Sequence, residues 1–162
     1  MIAQLEIPVE TVTEAAVAAR AAGTRVVLNA APARDLPAEL LDAVDLLVVN
    51  EVEAQALTGR GRDEPAALLS VVPRAVLTLG DAGAWYVDRD GTAAHVPAFP
   101  VRAVDSTAAG DAFTGALAVA WAEGRDLVEA TRWACAAGAA CVRRVGASVS
   151  LPHRVDIDTL AG

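Results

Sequence analysis

Residues 46–57 read Leu-Leu-Val-Val-Asn-Glu-Val-Glu-Ala-Gln-Ala-Leu. The four apolar residues 46–49 form a strand of the kind buried on both faces. Asn50 ends it, and a helix runs from Glu51 to Leu57 with Gly59 as its stop. The same alternation continues on both sides. Upstream, Val26-Val27-Leu28 is a short buried strand. A helix over 9–22 precedes it, with Val12, Ala16 and Ala19 on one face and Gly23 as the stop. Residues 2–5 read as a strand before that helix. Asn29 to Arg34 is a loop, and Pro37 opens a short helix through Leu41. Downstream, 64–71 is helical and Ala75–Leu79 is a strand. Strands alternating with amphipathic helices predict βαβ units and a parallel sheet. The pattern then changes: Ala84–Val87 and Thr92–Val96 flank Asp88-Arg89-Asp90-Gly91, a β-hairpin. Two helices follow, over 109–122 and 126–143, and the tail from Leu151 is a loop with room for one last helical turn. No internal repeat, linker or low-complexity tract interrupts the chain.

Composition fits this reading. The 162 residues are 54% hydrophobic but only 4% aromatic, so alanine, valine and leucine carry the core of what reads as one domain over 1–162. The net charge is −8, and no basic stripe is present for a nucleic-acid backbone. All thirteen basic residues are Arg. That excludes a Walker-type loop, which needs its Lys, and Schiff-base chemistry. Cys135 and Cys141 match neither CxxC nor a zinc pattern. Six positions apart on one helix, they point in different directions and read as buried free thiols, as expected in a reducing cytoplasm. Residues 1–10 do not read as a signal peptide, and no apolar run reaches the ~18–20 residues of a membrane span.

The segment that carries chemistry is Val104-Asp105-Ser106-Thr107-Ala108-Ala109-Gly110-Asp111-Ala112-Phe113. Small residues run into a helix start, where backbone N–H groups lack intrahelical partners and the helix dipole is positive. Ala108, Ala109 and Gly110 let a phosphate approach those groups closely, forming an anion hole. Asp111, in the first turn, is placed to take a proton from an attacking hydroxyl. Read alone, the segment is equally a helix N-cap.

Residues 105–113 match D-[ST]-x-[AG]-A-G-D-x-F, and with other motifs in order the chain resembles the ribokinase, or PfkB, family of carbohydrate kinases. Asn50-Glu51-Val52-Glu53 is similar to that family's N-x-x-E motif, which implies that Asn50 touches the phosphates and Glu53 organises Mg²⁺ through its water shell. Glu53 without this context is an ordinary solvated helix residue. Thr78-Leu79-Gly80-Asp81-Ala82-Gly83 resembles the T-L-G-x-x-G turn beside the nucleotide. The resemblance thus assigns Thr78, Gly80, Asp81, Gly83 and Gly110 to ATP. Cys135 falls at the position next to the adenine, though a core cysteine reads equally well. Gln4-Leu5-Glu6 resembles the strand whose Glu contacts the sugar, and Asn29 to Arg34 resembles the N-P-A-P-A loop with Ala31 for its first proline. Arg143-Arg144-Val145-Gly146-Ala147 and Ser150 resemble the segment that wraps K⁺. The resemblance gives that site Asp105, Thr107, Cys141, Arg144 (by its backbone oxygen), Gly146 and Ser150.

The implied fold is α/β, a ribokinase-like three-layer αβα sandwich with a mostly parallel sheet and a β-hairpin. The implied activity is ATP-dependent phosphorylation of a sugar hydroxyl, ribose foremost, giving ribose 5-phosphate. A complete member is about twice this length. Its first half, with the β lid and the Asp and Asn that grip the sugar, has no counterpart here. Only Glu6 and Asp111 remain of the sugar contacts. An unplaced sugar forfeits an effective-molarity term of up to ~7–11 kcal/mol. The expectation is therefore a chain that is weak or inactive alone and needs a copy of itself or a complementing N-terminal half. Its alternatives are a non-catalytic nucleotide-binding module and a truncated remnant.

Overall fold

Leu46–Asn50 is strand β3, and its first four residues are buried. In the computed structural model, which describes residues 1–162, β3 lies between two parallel neighbours. Val27–Asn29 (β2) pairs with it through Val27↔Leu46 and Leu28↔Leu47. Arg74–Thr78 (β4) pairs through Leu47↔Ala75 and Asn50↔Thr78. Ile2–Ala3 (β1) adds a parallel edge strand on β2. Ala84–Asp88 (β5) and Ala93–Val96 (β6) complete a six-stranded sheet in the order β1-β2-β3-β4-β5-β6. Parallel strands covered on both faces carry continuous apolar runs, which is why Leu46-Leu47-Val48-Val49 and Ala75-Val76-Leu77 both read that way.

The chain divides into two compact units. The first holds Met1–Leu79 and Trp85–Ala94. Its helices are Val9–Ala21 (α1), Ala38–Ala43 (α2) and Glu51–Thr58 (α3). Val12, Ala16, Leu40, Ala43 and Ala54 are their buried apolar positions. Gly59 caps α3 in the left-handed region, with its N–H bonded to Gln55 O. Within the helical stretch expected over 64–71, residues Pro65–Ser70 form a 3₁₀ helix. The stretch is six residues long with no side-chain cap, so the tighter, shorter helix suffices. The hairpin turn is anchored by Asp88, which accepts from Tyr86 Oη, Arg74 Nε and the Asp90 N–H at 2.7, 2.8 and 3.1 Å.

The second unit holds Gly80–Ala84 and His95–Gly162. Ala109–Ala122 (α4) packs on Leu127–Cys141 (α5), and α5 packs on Arg154–Ala161 (α6). The α4–α5 seam is built of small residues. Ala112, Ala116 and Ala120 are buried on one helix, and Ala130, Ala134 and Ala137 on the other. A methyl added at Gly138 would already touch Ala109 O at 3.6 Å. The tail exceeds the single turn expected from sequence. α6 is an eight-residue helix whose Asp156 side chain reaches back to accept from the His153 N–H at 2.9 Å. It is docked by Trp133 Nε1–H to Asp158 at 2.8 Å and by Arg154 to both oxygens of Glu123.

One glycine in this unit has no substitute. Gly83 has φ of +96°, and a Cβ there would lie 2.0 Å from Val96 O and 2.7 Å from Ala98 N. Gly91 has a similar φ, +99°, with nothing within 4 Å of the added atom. Gly83→Ala is therefore expected to lose roughly 3 kcal/mol or more, and Gly91→Ala only about 1 kcal/mol from the backbone conformation. Urea unfolding of the two variants measures the difference. Equal losses would contradict the steric assignment at Gly83.

Candidate functional site

In the first unit the site begins at the carboxyl ends of β3 and β4, where open parallel sheets place their ligand loops. Register pairing sets Asn50 beside Thr78, and Thr78 Oγ1 donates to Val49 O at 3.3 Å. Asn50 is also the N-cap of α3. Its Oδ1 accepts from the Glu53 N–H at 2.9 Å, and Glu53 answers by accepting from the Asn50 N–H at 2.8 Å and from Asn50 Nδ2 at 2.9 Å. This capping box fixes both side chains. Glu53 is only 5% exposed. Burial pushes its carboxyl above the usual carboxylate range, opposed by the two hydrogen bonds from Asn50. Each Glu53 oxygen already has one protein donor, which leaves a lone pair on each that could meet a cation directly or through water. Glu6 follows β1 with an exposed carboxylate, and its N–H donates to the Gln4 side chain.

In the second unit, Gly80–Ala82 is a 3₁₀ turn. Gly80 and Gly83 both have positive φ, and the Gly83 N–H donates to Gly80 O at 3.2 Å. Asp81 is exposed at its crest.

The loop into α4 is organised by Asp105. Its Oδ1 accepts from the Thr107 N–H at 2.9 Å and from Thr107 Oγ1 at 2.6 Å, and its Oδ2 accepts from the Gly146 N–H at 2.9 Å. These donors, the Thr107 hydroxyl first, pull the carboxyl down to about 2. The folded chain favours the ionised form. The stabilisation is therefore complete above the ordinary carboxylate range of about 3.9 and is lost as pH falls toward 2. Ala108 follows with φ 61°, the one non-glycine residue with positive φ. It is the N-cap of α4 and offers no capping side chain. The left-handed conformation costs about 1–2 kcal/mol in an L-residue. Of the amides beyond it, Ala109 N–H is taken by Ser106 O at 3.2 Å and Ala112 N–H by Ala108 O at 2.9 Å, whereas those of Gly110 and Asp111 have no protein partner. The Asp111 carboxylate is exposed, with no hydrogen bond or ion pair. Two open donors and a free carboxylate thus share one helical turn, while Ala109 contributes less of the anion hole than its position suggests.

The expected cation loop is knitted to this segment. Cys141 Sγ lies 3.6 Å from Thr107 O and 3.3 Å from Ser150 Oγ, and Ser150 Oγ donates to Ala147 O at 2.7 Å. The Arg144 N–H donates to Cys141 O at 3.2 Å, and its guanidinium stands 4.0 Å from Asp156. Asp105, Thr107, Cys141, Arg144, Gly146 and Ser150 therefore form one connected cluster. Its oxygens (a carboxylate, hydroxyls and carbonyls) are of the chemical kind that could hold a large monovalent cation. Cys135 stands apart from this cluster on α5. It is buried, and burial pushes its thiol up to about 12, so it packs and does not react.

Thr114 carries no signal in the sequence. Its hydroxyl is buried in α4 without a hydrogen-bond partner, an arrangement that costs about 1–3 kcal/mol.

Comparison with known proteins agrees with the motif order. Residues 2–154 match the model of the pfkB family of carbohydrate kinases. The ribokinase of Haemophilus influenzae is 39% identical over 162 residues, covering 95% of this chain and 53% of that protein. The structure of Arabidopsis thaliana ribokinase complexed with ribose and ATP superposes with a TM-score of 0.93 at 33% identity, covering 99% of this chain and 55% of that one. The phosphofructokinase-2 of Escherichia coli, solved in complex with potassium, superposes with a TM-score of 0.81 at 25% identity, covering 99% of this chain and 54% of that one. The chain spans about half the length of the curated relatives it matches. On the family match over nearly its whole length, the chain belongs to the pfkB family of carbohydrate kinases.

Proposed function

We propose that this chain supplies the nucleotide-binding and phosphoryl-transfer part of an ATP-dependent sugar kinase. Ribose is the favoured acceptor and ribose 5-phosphate the product. The observation that carries the reading is the first turn of α4, where the unpaired N–H groups of Gly110 and Asp111 lie beside an unpaired carboxylate. Amides directed at a phosphoryl group stabilise the charge that develops on transfer. The Asp111 carboxylate accepts the proton of the attacking sugar hydroxyl as that oxygen bonds to the γ-phosphorus of ATP and the bond from this phosphorus to the bridging oxygen breaks, with ADP as the leaving group. Thr78, Gly80, Asp81 and Gly83 border the nucleotide, with Cys135 as an apolar neighbour of the base. Asn50 touches the phosphates, and Glu53 orders waters around Mg²⁺, which neutralises phosphate charge when bound. The Asp105–Ser150 cluster holds K⁺, which would stiffen the loop into α4. Glu6 is the remaining sugar contact. The rest of the sugar site lies outside residues 1–162, in a segment like the N-terminal half of a pfkB kinase, whether joined to this chain or separate from it, or in a second copy of this chain. Its setting is the cytoplasm.

Asp111→Asn tests the central role. Ribose-dependent ADP release from Mg-ATP with K⁺ is followed for the chain alone and for the chain mixed with the N-terminal half of a pfkB kinase. The variant is expected to lose roughly 10²–10⁴-fold in turnover with Mg-ATP affinity little changed. Saturable Mg-ATP binding with no ribose-dependent release in either setting would replace the kinase reading with a nucleotide-binding module.

Ala108 gives a second test. Ala108→Gly removes the left-handed cost but adds unfolded-state freedom of similar size, so its stability should stay within about 0.5–1 kcal/mol of the parent. Ala108→Val should lose roughly 2 kcal/mol and weaken Mg-ATP binding. Undiminished Mg-ATP binding by the valine variant would show that the shape of this loop does not matter to the nucleotide.

A further inference from the structure

Six threonines lie in these helices, and four of them share one habit; the other two are Thr11, exposed in the first turn of α1, and the buried Thr114. Thr13 Oγ1 donates to Val9 O at 2.8 Å, Thr58 to Ala54 O at 2.8 Å, Thr131 to Leu127 O at 2.6 Å, and Thr159 to Val155 O at 2.6 Å. Each bonds the carbonyl four residues back, as a helical threonine does in one of its two favoured rotamers. Thr114 has the same opportunity at Gly110 O and does not take it. Its hydroxyl is unpaired in a side chain only 4% exposed. Buried hydroxyls are nearly always bonded, so one left unpaired asks for an explanation.

Its position supplies one. Gly110 C=O and Asp111 N–H belong to the same peptide group, and that N–H is one of the two open donors at the start of α4. A hydrogen bond given to the carbonyl of a peptide polarises it and makes its N–H a stronger donor. An anion on the N–H in turn makes the carbonyl a better acceptor. We propose that Thr114 is a positioning residue for phosphoryl binding: its hydroxyl moves onto Gly110 O when an anion occupies the Asp111 N–H, and the two bonds reinforce each other. The unpaired hydroxyl of the free chain is then a donor held in reserve. Binding and rotamer are coupled reciprocally. This inference rests on the reading of the α4 N-terminus as the phosphoryl site.

Thr114→Val keeps the shape and removes the hydroxyl, and Thr114→Ser keeps the hydroxyl. Mg-ATP and adenosine binding are measured by calorimetry on the full chain, with the melting temperature of each variant. Thr114→Val is expected to melt roughly 2–4 °C higher, because an unpaired buried group is gone. It should bind Mg-ATP about fivefold more weakly, with adenosine unchanged. Thr114→Ser should bind Mg-ATP within twofold of the parent. A valine variant that is more stable and binds Mg-ATP like the parent overturns the inference and leaves the phosphoryl site standing. Equal weakening toward adenosine also overturns it, since the effect would then not be on phosphate. A parent chain that binds no Mg-ATP overturns the reading of the site itself, and this inference with it.

Discussion

Asp105 closes the loop that launches α4, and the geometry of the candidate site in that unit follows from it. One carboxylate accepts three donors, and the contact to Gly146 spans 41 positions of sequence. With Thr107 fixed by two of these bonds, the chain enters α4 through a left-handed Ala108, and the next free amides belong to Gly110 and Asp111. On the other side, Gly146 is held at φ +105° beneath Val149, and the Cys141 and Ser150 side chains bridge back toward Thr107. A run of small residues has little packing of its own to define its shape. Here the shape is imposed by charge-assisted hydrogen bonds from outside the run.

The sheet was legible because its strands are buried on both faces. Leu46–Val49 and Ala75–Leu77 admit few other readings. What escaped was structure stabilised at a distance. In α6, Val155, Ile157 and Thr159 are β-branched and argue locally against a helix. The helix forms because Asp158 meets Trp133 and Arg154 meets Glu123, residues 25 and 31 positions away. The stretch over 64–71 is helical as read, but its apolar pattern does not distinguish a six-residue 3₁₀ helix from an α-helix.

The candidate site divides in the same way. Asn50 and Glu53 were visible only through the resemblance to an N-x-x-E motif; that the two also close a capping box, with Glu53 buried, is what the structure adds. Asp105 to Asp111 were visible as small residues before a helix. The left-handed backbone at Ala108 was not, because that conformation is signalled by glycine or asparagine and not by alanine. Pairing of Asn50 with Thr78 depends on register, which composition does not encode. Thr114 looks like every other helical threonine until its hydrogen bonds are counted.

The alanine seam between α4 and α5 has a consequence for how this protein can vary. Each buried methyl there contributes little area, so trimming one to glycine forfeits little packing. Enlarging one is another matter, because the helices are already at contact: Gly138 has 3.6 Å between an added methyl and Ala109 O. Tolerance to mutation along this seam is therefore lopsided. Substitutions toward larger side chains push α5 away from the first turn of α4, and drift in that direction is closed to any lineage that keeps the turn.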